Sequence, residues 1–96
     1  LLNNDAKGLI PLTNIWLDNM EVTFSHAFIE RQAYEWMIEI VNPLPIPLIE
    51  NKEYVAQISF DQSDGMSYES VDIQYFDMEK GEEFTTYRFF FYPQEG

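Results

Sequence analysis

SHAFIERQAYEWMIEIV, residues 25–41, is the segment on which the fold class turns. It holds no Gly, Pro, Asn or Asp to mark a turn, and it is rich in helix formers such as Glu30, Arg31, Gln32, Ala33, Glu35, Met37 and Glu39. Projected on a helix, Arg31, Gln32, Glu35, Glu39 and Asn42 gather on one side, and Ile29, Ala33, Trp36, Met37 and Ile40 on the other. Arg31 and Glu35 also stand at a spacing that suits an ion pair along a helix. Composition and projection together predict a helix over about residues 26–41. A strand reading competes, because Tyr34, Trp36, Ile38 and Ile40 alternate with Glu35, Met37 and Glu39.

The run Asn42-Pro43-Leu44-Pro45-Ile46-Pro47 ends this element, since each proline removes a backbone donor and restrains the residue before it. It reads as an extended crossover or edge strand with Leu44, Ile46 and Leu48 packed inward. Its prolines are spaced too closely for a ligand of polyproline-binding grooves.

From Lys52 to Tyr92 the chain reads as a three-stranded antiparallel meander over about 53–60, 68–76 and 84–92. Tyr54, Ala56, Ile58 and Phe60 alternate with Val55, Gln57 and Ser59, and Val71, Ile73 and Tyr75 alternate with Ser70, Asp72, Gln74 and Phe76. Asp64-Gly65 suits a tight hairpin turn, which would set Ile58 opposite Val71, Ala56 opposite Ile73 and Tyr54 opposite Tyr75. Glu79-Lys80-Gly81 fits a loop closed by a left-handed glycine, setting Val71 opposite Phe89 and Ile73 opposite Tyr87. On the other side of the sheet Asp72 would then face Arg88, flanked by Phe76, Phe84, Phe90, Tyr68 and Tyr92. A strand aromatic on both sides implies that both are covered, by the N-terminal part of the chain or in part by a partner.

Ahead of these elements, residues 1–8 read as a flexible lead-in with a breaker at Gly8. Asp18-Asn19 suggests a turn, and Met20 to Phe24 an extended segment. The 96 residues suit a single domain over 1–96. The expected fold is α+β: one helix on an antiparallel sheet that contains the meander. The alternative is an all-β sandwich of about six strands. In element order the first arrangement resembles the cystatin architecture. The QxVxG loop of that family is absent, because Gln57-Ile58-Ser59-Phe60-Asp61 lacks the valine and the glycine, and there is no Pro-Trp hairpin. No inhibitory residue is carried over from it.

Chemistry is narrowed by what the inventory holds. There is no cysteine, so disulfides, thiolate metal sites and cysteine nucleophiles are out. His26 is the single histidine and reads as structural; no Gly-rich phosphate loop occurs. Asp61-Gln62-Ser63-Asp64-Gly65 fails as a calcium loop, since the first and last ligand positions would fall on Phe60 and Val71. A weak cation site from Asp61, Asp64 and Glu69 is the most that this tip would offer, against the plainer reading of a solvated acidic turn. No catalytic residue, cofactor or metal is expected. No run has the length of a membrane span, and a cytoplasmic location is favoured, with secretion open because residue 1 is leucine.

Hydrophobic content of 46% and aromatic content of 17% are those of a folded chain, yet 17 acids against 5 bases give a formal charge of −12. That charge repels nucleic acid and anionic membranes and favours a basic protein surface. Eight of the 17 acids lie between Asp61 and Glu83. Small size, negative charge and surplus aromatics are similar to those of phage anti-defence proteins, anti-CRISPR proteins among them, and of toxin immunity proteins. The expected function is an acidic inhibitor that blocks a basic site on a nuclease or other nucleic-acid-handling protein, in one version by mimicking nucleic acid. Asp61, Asp64, Asp72, Glu79, Glu82 and Glu83 would supply the charge, and Tyr68, Phe84 and Tyr92 the anchors. The alternative is a non-catalytic ligand-binding or adhesin module whose exposed aromatics stack on sugars or peptides.

Overall fold

The computed structural model describes residues 9–62 and 64–93, Gln62 by its backbone alone. The strands are β1 (Leu9–Pro11), β2 (Asn14–Leu17), β3 (Met20–Glu21), β4 (His26–Glu30), β5 (Trp36–Asn42), β6 (Tyr54–Gln62), β7 (Gly65–Ile73), β8 (Tyr75–Lys80) and β9 (Thr85–Phe91). They form a five-stranded sheet in the order β1-β4-β5-β9-β8 and a four-stranded sheet in the order β3-β2-β6-β7. All pairings are antiparallel.

There is no helix among the described residues, so the α+β expectation is corrected to an all-β sandwich. Residues 26–30 and 36–42 form the hairpin β4–β5, in which Ala27 faces Ile40 and Ile29 faces Ile38. Those four side chains are buried in the core between the sheets, so the two-residue period prevails over the helical one. The β-branched residues at 29, 38, 40 and 41 favour the same outcome. The loop at 31–35 needs no Gly or Asn because none of its residues takes a positive φ. The likeness to cystatins, which rested on the helix, falls with it.

The two sheets share one core. Ile15, Leu17, Tyr54, Ala56, Ile58, Phe60 and Ile73 come from one, and Ala27, Ile29, Ile38, Ile40, Tyr87, Phe89 and Phe91 from the other. Alternation in β6 is as expected, with Tyr54, Ala56, Ile58 and Phe60 all inward and buried. The pairing is shifted by two residues: Ile58 faces Glu69, Ala56 faces Val71 and Tyr54 faces Ile73. Gly65 is already in the strand, opposite Gln62, at a φ of 135° that favours glycine. The expected turn pair Asp64-Gly65 is therefore corrected: Asp64 is in the turn and Gly65 opens β7, while residue 63 lies outside the described residues. A two-residue shift preserves the sides, so the core pattern survives it.

The meander itself is corrected. The chain leaves the four-stranded sheet after Ile73 and enters the five-stranded sheet at Tyr75, with Gln74 at the crossing and its N–H donating to Phe90 O at 2.8 Å. Phe89 consequently faces Phe76 and Tyr87 faces Met78, in place of Val71 and Ile73. The β8–β9 loop is Gly81 to Phe84, and Gly81 takes no left-handed backbone. A close approach explains this glycine instead: a Cβ there would lie 2.9 Å from Phe84 O. Asp18 and Asn19, at φ 51° and 72°, make the expected turn between β2 and β3. The expected lead-in, residues 1–8, lies outside the described residues.

The proline run belongs to no strand and bends at Pro43 and Leu44. Ile46 is buried and Leu48 packs on the core, whereas Leu44 is exposed, contrary to expectation. Three of the donors that this segment retains go to side chains: Leu44 N–H to Asn42 Oδ1, Ile46 N–H to the Tyr87 hydroxyl, and Ile49 N–H to the Tyr54 hydroxyl.

Candidate protein-binding surfaces

Alternation along a half-buried strand sends every second residue outward, so each sheet has an outer face whose composition is set by sequence. On the four-stranded sheet the outward row of β7 reads Met66, Tyr68, Ser70, Asp72, opposite Asp61, Ser59, Gln57 and Val55 of β6. Tyr68 is 70% exposed and Met66 about half exposed. Asp61, Asp64 and Asp72 are exposed on the same hairpin, and neither strand contains Lys or Arg. A shallow groove of about 350 Å³ runs beside Tyr68, lined by Trp16, Gln57, Ile58, Glu69 and Ser70. Next to it, the Thr13 and Ser59 hydroxyls meet at 2.7 Å, and Ser59 donates to Asn14 Oδ1 at 3.2 Å. Four of the expected residues, Asp61, Asp64, Tyr68 and Asp72, are thus brought onto one hairpin.

The other five are elsewhere. Glu79 ends the outward row of β8, Glu82, Glu83 and Phe84 form the β8–β9 loop, and Tyr92 follows β9, 60% exposed. Asp72 does not face Arg88, because the crossing at Gln74 puts the two in different sheets. Arg88 stands between Glu39 of β5 and Asp77 of β8, with N···O distances of 3.5 Å to each and 3.1 Å to Glu79. The hydrogen bond that Arg88 donates to Glu79 raises the guanidinium pKa further, with Asp77 and Glu39 adding to it against a burial cost. Of the expected flanking rings, Phe76 points into the core and Tyr68 lies on the other sheet; Phe90 stacks on Tyr75 at 4.6 Å. His26 stacks on Phe28 and lies 3.6 Å from Glu39, a surface packing position.

A third region was not anticipated. A groove of about 810 Å³ separates β8 from the connector, lined by Pro45, Ile46, Pro47 and Leu48, by residues 50–53 and by residues 74–78, with Tyr87 at its floor. Its charged groups are Glu50, Glu53, Asp77 and Lys52. Lys52 is paired with Asp18 at 3.0 Å and stands over the Tyr54 ring at 4.6 Å. Sequence reasoning missed this groove because it depends on β8 being a sheet edge, which follows from the crossing and not from any local pattern. Among the described residues, no group of three or more His, Asp or Glu is placed to hold a metal ion, Asp61, Asp64 and Glu69 included.

No family model, curated protein or solved structure matches the chain.

Proposed function

We propose that this chain is a non-catalytic, acidic protein-binding module of the inhibitor or immunity type, which occludes a basic site on a nuclease or other nucleic-acid-handling protein. The observation that carries the reading is the β6–β7 hairpin: Asp61, Asp64 and Asp72 share one element with the exposed Tyr68 and Met66, and no basic residue is interspersed. Negative charge there steers a basic partner, and the adjoining apolar side chains supply contact area once it has docked. Elsewhere the cations Arg88 and Lys52 are each held by acids, so they do little to soften the field. The outward row of β7 carries one acid in four positions, which favours steering and anchoring over a regular phosphate-like ladder.

Affinity capture from host lysate at low and high salt tests this reading, with wild type beside an Asp61→Lys/Asp64→Lys variant. The expected result is a basic nucleic-acid-handling protein retained by wild type, released by salt and lost to the variant. A bound set indifferent to both changes would overturn it.

A second reading, a ligand-binding or adhesin module, is favoured by one feature. Trp16 and Tyr68 line a shallow groove together with Gln57 and Ser70, an aromatic and amide pairing suited to stacking on sugars. Glycan retention that depends on Trp16 and ignores salt would select it.

A further inference from the structure

We infer that the free edge of β8 takes an extended basic peptide segment as an added strand of the five-stranded sheet. The inference rests on the protein-binding reading and adds to the β6–β7 hairpin a second point of attachment, for an extended segment of such a partner.

β8 is the last strand of its sheet, paired on one side with β9. Five consecutive residues, Gln74 to Met78, line the 810 Å³ groove. Side chains of consecutive strand residues point to opposite faces, so a groove that meets all five runs along the backbone edge between them. That edge presents main-chain groups which a further extended chain satisfies.

The opposite wall does not close the gap. Pro43, Pro45 and Pro47 have no N–H, and the donors of Leu44, Ile46 and Ile49 are taken by Asn42, Tyr87 and Tyr54. These three bonds pin the connector beside β8, whose pairing is with β9 on its other side. The space between is bordered by apolar groups from both walls: Phe76 and Met78 from the strand, Leu48 and Pro47 from the connector. Met78 is 55% exposed there, and alternate apolar side chains of an incoming strand would pack on it.

Charge selects the occupant. Of the lining residues Glu50, Glu53 and Asp77 are acids, Asp77 already paired with Arg88, and the one cation among them, Lys52, is engaged with Asp18. Glu79, bonded to Arg88, and Lys80 end β8 beyond the groove, so Glu50 and Glu53 are the lining acids that carry the selection. A second copy of this chain is a poor occupant, because edge-to-edge pairing of β8 would bring Asp77 and Glu79 against their equivalents in a chain of charge −12. An extended segment alternating Lys or Arg with aliphatic residues meets both the apolar groups and the acids.

The test uses the whole chain and a synthetic peptide alternating Lys with Val, compared with its counterpart alternating Glu with Val. Amide NMR and hydrogen exchange are followed during titration, in wild type and in Met78→Lys and Met78→Leu variants. The expected result is slowed exchange at every second amide of β8 and shifts over 45–53 with the Lys peptide alone. Affinity should fall about tenfold or more in Met78→Lys and be kept in Met78→Leu. Shifts confined to the outer face of β6–β7, binding of both peptides alike, or no binding would each overturn the β8 site. The first of these leaves the protein-binding reading standing, and lysate capture decides that reading separately.

Discussion

The Tyr87 hydroxyl accepts the backbone N–H of Ile46 at 2.6 Å, with both groups buried. Tyr87 is inward on β9 and Ile46 lies in the proline connector, so this bond fixes the connector over the end of the core. It also sets the width of the groove beside β8, since both residues line it. A Tyr87→Phe variant would keep the ring and leave a buried N–H without its acceptor. The expected loss is about 1–3 kcal/mol, read as a lower urea midpoint with unchanged slope. An unchanged midpoint would mean that water reaches Ile46.

Asn42 is the second anchor of the connector. Buried, it donates from Nδ2 to Thr23 O at 2.6 Å and accepts Leu44 N–H at Oδ1. Asn42→Ala should cost about 1–3 kcal/mol. Asn42→Asp keeps the acceptor but sets a carboxylate against the Thr23 carbonyl, so it should be less stable near about pH 7 than near about pH 4, relative to wild type. Equal deficits at both would remove the donor role.

Tyr75 donates its hydroxyl to Glu35 at 2.6 Å, and this bond, together with burial and the charge of Glu35, pushes its pKa from the ordinary 10.0 up to about 12. Because the folded value is the higher one, the contribution to stability is fully present below about pH 10 and is lost as pH rises through about 12. Phenolate absorbance should lose a late-titrating component in Tyr75→Phe, and Glu35→Gln should move that component back towards 10. Superimposable curves would contradict the pairing.

Asp18 shows the opposite sign. The N–H of Val55 donates to it at 2.9 Å and Lys52 pairs with it at 3.0 Å, and these hold its carboxyl below the usual 3.8. Its contribution is present above about pH 4 and lost as pH falls through the lower folded value. Carboxyl NMR titration should place Asp18 among the last groups to protonate, and Asp18→Asn should flatten that part of the stability profile.

Gly81 is required for space and not for backbone handedness. Gly81→Ala would set a Cβ 2.9 Å from Phe84 O and strain the bond from Gly81 N–H to that oxygen. Destabilisation of about 1 kcal/mol or more is expected in thermal unfolding. No change would show that the loop shifts freely.

The residues gave up the fold unevenly. Alternation in β6 and β7, the Asp18-Asn19 turn and the proline stop after Asn42 were legible because each is written in neighbouring residues. The β4–β5 hairpin was not, since its 31–35 loop keeps ordinary negative φ angles and so carries no turn residue, while Arg31, Gln32, Glu35 and Glu39 mimic a helix surface. The crossing at Gln74 was hidden as well: alternation continues across it, and only the core shared by the two sheets shows that Ile73 and Phe76 belong to different ones. From that one step follow the wrong partner for Arg88, the missed roles of Glu39 and Asp77, and the unanticipated groove. Among the expected site residues, those near one turn stayed together, Asp61, Asp64 and Tyr68 on β6–β7 and Glu79, Glu82, Glu83 and Phe84 at the β8–β9 loop, whereas the Asp72–Arg88 pair set by the meander register did not.

The most direct measurement is the association rate of a captured basic partner with wild type and with Asp61→Lys/Asp64→Lys, over a range of ionic strength. Expected are a fast wild-type rate that falls steeply with salt, and a variant about tenfold or more slower with a shallow salt slope and an unchanged fold. Equal rates and equal slopes for the two proteins would contradict charge steering.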